Sequence, residues 1–144
     1  MKAKNVTVET LVDLPAEKTW ELWTRPEHIT QWNFAADTWH CPAAENDLSP
    51  GGKFSWRMEA KDGSMGFDYC GKYNEIIPHK QITGTLDDGR KVLVFFSEQD
   101  GKTRLTEDFE IDNSHSIEQQ RAGWQAILDN FRKYAEHSAG KQRK

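Results

Sequence analysis

Two carboxylates stand on strand faces that are otherwise apolar. In the segment 67–75, Phe67, Tyr69, Gly71 and Tyr73 alternate with Asp68, Cys70, Lys72 and Asn74, and the next step of the alternation puts Glu75 on the aromatic side. In 103–111, Glu107 shares its parity with Leu105, Phe109 and Ile111. Side chains two apart along a strand share a face, so both glutamates point inward if neither strand carries a bulge. A carboxylate taken out of water is costly unless something pairs with it. The two are therefore either satisfied by Tyr, Trp or Arg neighbours, or they anchor a ligand or act as an acid/base pair. Burial and mutual repulsion would raise the pKa of at least one. The floor of a shared cavity could then donate as well as accept hydrogen bonds near neutral pH.

Other chemistries find little support. His28, His40, His79, His115 and His137 are scattered without compact metal-ligand spacing. The adjacent pair His40-Cys41 would point to opposite faces of an extended segment. Neither a metal nor a cofactor is expected. No G-x-S-x-G, P-loop or dinucleotide glycine fingerprint occurs, and Gly51-Gly52, between Pro50 and a strand, reads as a turn. The net charge of −4 weighs against general nucleic-acid binding, which calls for a basic patch. No run approaches a membrane-spanning length, and the N-terminal stretch MKAKNVTVETLV lacks the apolar core of a signal peptide. A cytoplasmic protein without membrane insertion is expected, with Cys41 and Cys70 as free thiols.

The elements that must hold Glu75 and Glu107 are legible in outline. The 144 residues suit one domain, expected over 1–137, with a polar tail over 138–144. A composition of 36% hydrophobic and 11% aromatic residues, including six Trp, excludes a disordered chain. Val6, Val8, Thr10 and Val12 alternate as a first strand. Pro15 opens a helix bearing Trp20, Leu22 and Trp23, and Pro26 ends it and begins a second over 26–32. Pro42, Pro50, Gly51 and Gly52 mark a loop-rich stretch. Phe54, Trp56 and Met58 then alternate with polar residues, followed by the strands of 67–77, 81–86, 91–97 and 103–111. Asp62-Gly63, Asp88-Gly89 and Asp100-Gly101 are hairpin turns, so antiparallel pairing is expected. Ser114 or Ser116 caps a final long helix, Gln119 standing three residues after Ser116 as in a capping box. Ile117, Trp124, Ile127, Leu128, Phe131 and Tyr134 share one face of it. The antiparallel sheet is the only surface large enough to receive that face. The result is an α+β domain, its sheet curled around the last helix.

A sheet so curved tends to leave space beneath the helix. Its inner face, Phe54, Trp56, Met58, Phe67, Tyr69, Tyr73 and Phe109, meets Trp124 and Leu128, with Trp32 near the edge. These rings either fill the core or line an apolar pocket anchored by Glu75 and Glu107. Trp124, Leu128 and Phe131 are expected to contact Trp56, Phe67 and Phe109.

The order of several short motifs resembles the START-like (SRPBCC), helix-grip superfamily. Within it the chain looks like the group named for the activator of the ninety-kilodalton heat-shock protein ATPase. The matching pieces are Pro15-Ala16-Glu17 with Trp20, Leu22-Trp23-Thr24 with Pro26-Glu27-His28, Trp32, Pro50-Gly51-Gly52 with Phe54, Gly71-x-Tyr73-x-Glu75-Ile76-x-Pro78, Thr103-x-Leu105-Thr106 with Phe109, and Gly123-Trp124 with Leu128 and Asn130. The C-terminal segment is most similar to bacterial single-domain members, including the branch of the calicheamicin-resistance proteins. The resemblance implies a helix-grip fold with a cavity under the C-terminal helix. It implies several functions, because the superfamily holds ligand carriers, polyketide cyclases, resistance proteins and co-chaperone domains. The leading expectation is a non-enzymatic binder of a small hydrophobic molecule: a lipid, polyketide or polyphenol. The alternatives are a cyclase or hydrolase-like enzyme using Glu75 and Glu107, and a chaperone-modulating module.

Overall fold

A computed structural model describes residues 5–111 and 116–138. Among them the elements run β1 (Asn5–Val12), α1 (Ala16–Thr24), α2 (Pro26–Trp32), β2 (Trp39–Asn46), β3 (Lys53–Ala60), β4 (Gly66–Ile77), β5 (Gln81–Leu86), β6 (Lys91–Gln99), β7 (Lys102–Glu110) and α3 (Ile117–Ser138). The strands form one antiparallel sheet in the order β1-β7-β6-β5-β4-β3-β2. It curls as a half-barrel around α3, with α1 and α2 crossing between its two edge strands. Ser138 closes α3, so the tail expected from 138 begins inside a helix; residues 139–144 and Ser114 lie outside the described residues.

Local chemistry explains the turns and caps. Asp100 and Gly101 both take positive φ, 57° and 78°, the pair of values that matches a tight hairpin to the twist of its strands. The backbone N–H of Gln119 donates to Ser116 Oγ at 3.0 Å, and Ser116 N–H donates back to Gln119 Oε1 at 3.2 Å, the reciprocal capping box expected at the start of α3. The N-terminus of α1 is held from a distance: Ala16 N–H donates to the Glu98 carboxylate of β6 at 2.8 Å.

Two irregularities change the expected picture. The stretch read as loop-rich contains β2, an edge strand paired only with β3. Its register shifts between His40 and Ala43, and that break accommodates Pro42, which has no N–H to give to a ladder. In β4 the pairing steps from Tyr73↔Gly84 to Glu75↔Thr83, leaving Asn74 as an extra residue. This bulge reverses the alternation beyond it. Ile76 packs against the core, whereas Glu75 is exposed on the outer surface, its N–H on Thr83 Oγ1 at 3.0 Å and its carboxylate accepting from Gln81 at 3.4 Å. The inward placement expected for Glu75 is thus corrected, and the two glutamates lie on opposite faces of the sheet.

The centre of the core is aromatic. Trp23 of α1 stacks on Trp32 of α2 with centroids 4.5 Å apart, and Phe131 of α3 meets both edge-on at 5.0 Å. Trp32 also donates its indole N–H to the Leu22 carbonyl at 3.1 Å. The expectation that Phe131 packs on strand aromatics is corrected: among the described residues its ring partners are Trp23 and Trp32 of the two short helices, not Trp56, Phe67 or Phe109. Phe54 lies over two glycines of the neighbouring strands. A Cβ at Gly71 would stand 2.3 Å from the Thr85 carbonyl oxygen and 3.0 Å from the Phe54 ring, so only glycine admits this close approach.

Candidate functional site

The inner face of β7 runs Thr103, Leu105, Glu107, Phe109, all buried. No bulge interrupts its pairing with β1 or β6, where Glu107 sits opposite Val8 and Val94. The alternation therefore carries Glu107 inward as expected. It is 6% exposed and opens onto a cavity of about 550 Å³ between the sheet, the end of α2 and the first turns of α3. That volume falls in the ~300–1,000 Å³ range of small-molecule sites. Of the six tryptophans all but Trp20 line it, namely Trp23, Trp32, Trp39, Trp56 and Trp124. Met58, Phe67, Tyr69 and Ile127 contribute to its apolar wall, with Phe34 to Ala36 after α2.

The rings brace one another. Trp124 lies flat on Phe109 with centroids 3.8 Å apart and 9° between planes, and meets Tyr69 edge-on at 5.9 Å. Trp56 stands between Trp32 at 5.9 Å and Tyr69 at 5.5 Å. Phe67, 48% exposed, sits at the mouth beside Trp39 at 6.0 Å rather than under α3 as expected. A small inner recess of about 30 Å³ adjoins the cavity; Phe54 and Tyr73 line it, and Trp23, Trp56, Tyr69 and Glu107 line both spaces. Phe109 and Leu128, expected in the wall, are fully buried behind it. The Tyr73 hydroxyl is turned away to Asn46 Oδ1, which also accepts from the Trp56 indole at 3.3 Å.

Glu107 is the chemical exception in this box. It has no hydrogen bond or ion pair among the described residues, and its oxygens face the cavity space. Burial pushes its carboxyl up to about 8. The Tyr69 phenol is raised well above its ordinary value, by burial first and then by the nearby Glu107 charge. The remaining polar lining comes from Asn33, Arg90, Gln119 and Gln120. Arg90 pairs with Asp88 through Nε at 2.9 Å. Among the described lining residues, no Cys, Ser, Thr or His accompanies Glu107. Cys70 is on the outer side, its thiol donating to Asp87 at 3.0 Å and pushed up to about 11, chiefly by that hydrogen bond. Cys41 is a buried residue of β2, its thiol pushed up by desolvation.

Among the lining residues that sequence reasoning missed are Trp23, Trp39, Asn33, Arg90, Gln119, Gln120 and Gly123. Gly123 carried a readable signal: a glycine within the apolar face of a long helix is unfavourable unless its missing side chain leaves space. A Cβ built there meets nothing within 4 Å. Trp124, half-buried because its free side faces the cavity, should cost about 2 kcal/mol on replacement by Ala, less than a sealed aromatic. Urea denaturation checks this; a loss above about 4 kcal/mol would mean that the ring is sealed in the core.

The comparisons with known proteins agree on the fold. A family model described as activator of Hsp90 ATPase homolog 1-like protein matches residues 13–136. The solution NMR structure of an AHSA1-like protein from Aeromonas hydrophila superposes with a TM-score of 0.89 at 37% identity, covering 98% of each chain. A solution structure of a protein from Cytophaga hutchinsonii gives 0.80 at 41% identity, covering 97% of each. A crystal structure of a protein from Nitrosomonas europaea shares the fold at 18% identity, with a TM-score of 0.77 over 94% of this chain and 96% of that one. No curated protein matches the chain. No helix among the described residues is long and apolar enough to cross a membrane.

Proposed function

The chain belongs to the family of activator of Hsp90 ATPase homolog 1-like proteins, and from that premise we propose that it binds one small, largely apolar molecule beneath α3 without transforming it. The observation that carries this reading is a cavity of about 550 Å³ walled by five tryptophans around a single unpartnered carboxyl. Flat apolar ligands pack on such rings, and the Glu107 carboxyl supplies the one directional anchor.

The enzymatic alternative rested on Glu75 and Glu107 acting together. With the Asn74 bulge between them, the pair does not share a space. The chaperone-modulating alternative calls for a contiguous exposed apolar patch outside the cavity. Among the described residues, Leu11, on edge strand β1, and Ile77, on β4, are separated by three strands; exposed Phe67 belongs to the cavity mouth, and Met65, in the β3–β4 turn two residues before it, is the one exposed apolar neighbour it has in sequence. Binding of a small molecule is therefore the reading we favour.

Gly123 provides the test. Gly123→Ala should raise stability by about 1 kcal/mol through helix propensity and leave binding intact. Gly123→Phe projects a ring into the same space and should abolish binding of a neutral apolar fluorophore such as N-phenyl-1-naphthylamine, read by quenching of tryptophan emission. Undiminished quenching in a folded Gly123→Phe protein would refute the cavity as the binding site.

A further inference from the structure

The charge of the ligand can be read from the same site, an inference that rests on the cavity being the binding site. A neutral apolar molecule would fill the volume but leave Glu107 buried without a partner, and an anion would be repelled from it once ionised. The side chains that share the cavity or the recess with Glu107 come from several elements. Trp23 of α1, Trp56 of β3, and Gln120 and Trp124 of α3 are uncharged. Among the described residues the titratable or charged groups are Tyr69 and Tyr73 of β4 and Arg90 after β5. Both phenols are held neutral by burial, and Arg90 is engaged with Asp88. An aromatic enclosure with an unpartnered carboxylate at its floor is the arrangement that stabilises a desolvated organic cation, through ring faces and one opposite charge. We propose that the ligand is an organic cation, an amine or quaternary ammonium carried on an apolar body, whose positive group sits against Glu107 among Trp23, Trp56, Tyr69 and Trp124.

Such a ligand competes with the proton on Glu107. With that carboxyl at about 8, its ionised fraction rises roughly tenfold between pH 7 and pH 9. The affinity of a permanently charged cation should rise by the same factor. The probes are phenyltrimethylammonium, its neutral isostere tert-butylbenzene, and benzoate, titrated against wild-type protein and Glu107→Gln at pH 6, 7, 8 and 9, with shifts of the indole N–H resonances as readout. The expected result is preference for the cation over the isostere, a roughly tenfold tightening from pH 7 to pH 9, and loss of both in Glu107→Gln. Equal or tighter binding of tert-butylbenzene at every pH would overturn the cation while leaving the cavity reading intact. Preference for benzoate would overturn it in favour of Arg90 as the anchor. Cation binding that neither varies with pH nor responds to Glu107→Gln would place the charge elsewhere. Failure of all three probes to shift any indole would overturn the cavity reading as well.

Discussion

Phe131→Ala should lower the stability of this domain by about 4 kcal/mol. The ring is wholly buried and stands edge-on to Trp23 and Trp32, each at 5.0 Å, so it joins α1, α2 and α3 at one point. Truncation removes the transfer energy of the ring and leaves a void that the two stacked indoles cannot close without breaking their own contact. Two edge-to-face pairs go with it, each worth about 0.5–1.5 kcal/mol beyond area. Phe131→Leu, which keeps most of the volume, should cost less than half as much. Equilibrium urea denaturation followed by far-UV circular dichroism checks both. A loss below about 1 kcal/mol for Phe131→Ala would show that the three-helix junction is not where the core is held.

Glu107→Gln should make the protein more stable at neutral pH and change little at pH 4. The sign follows from the direction of the shift. The folded-state carboxyl stands at about 8, above its ordinary value of 4.5, so protonation is favoured in the folded form. Below 4.5 the group is neutral in both states and carries no penalty. As pH climbs from there toward 8, the unfolded chain ionises freely and the folded one does not, so stability is progressively lost; above 8 the loss levels off. At pH 7 the penalty amounts to about 3 kcal/mol. Glutamine has nearly the same shape and no charge to desolvate, which removes that dependence. Denaturation midpoints of the two proteins from pH 4 to pH 9 give the difference directly. Parallel curves would mean that Glu107 is solvated or paired and would remove the basis for its role as anchor.

The elements that follow local rules were readable from the chain. The Asp-Gly turns, the Ser116–Gln119 cap, the helices broken at Pro26 and the alternation of β7 each depend on residues within a few positions of one another. The bounds of β5 and α2 fall where the motifs put them, at Gln81–Leu86 and Pro26–Trp32. What escaped depends on pairing partners that a linear reading does not see. The Asn74 bulge is defined only against β5, so parity sent Glu75 to the wrong face. β2 is a strand only because β3 lies beside it, and its proline marked it as a loop. The same division runs through the site. Glu107, on an uninterrupted strand, was found from sequence; so were Trp56, Tyr69 and Trp124. Trp23 was read only as a residue of the first helix, although its ring both packs the core and faces the cavity. Asn33, Arg90, Gln119 and Gln120 come from loops and helix ends that only tertiary structure brings together.

The central claim, that a small apolar molecule occupies the space between the sheet and α3, is tested most directly by the six indole N–H resonances during titration with N-phenyl-1-naphthylamine. Trp23, Trp56 and Trp124 line the cavity, whereas Trp20 lies outside it, against Phe96 at 5.1 Å and His79 at 5.8 Å. The account predicts saturable, single-site shifts of the cavity indoles with the Trp20 resonance unmoved. Indoles that do not respond, or a Trp20 resonance that moves as far as the others, would contradict it.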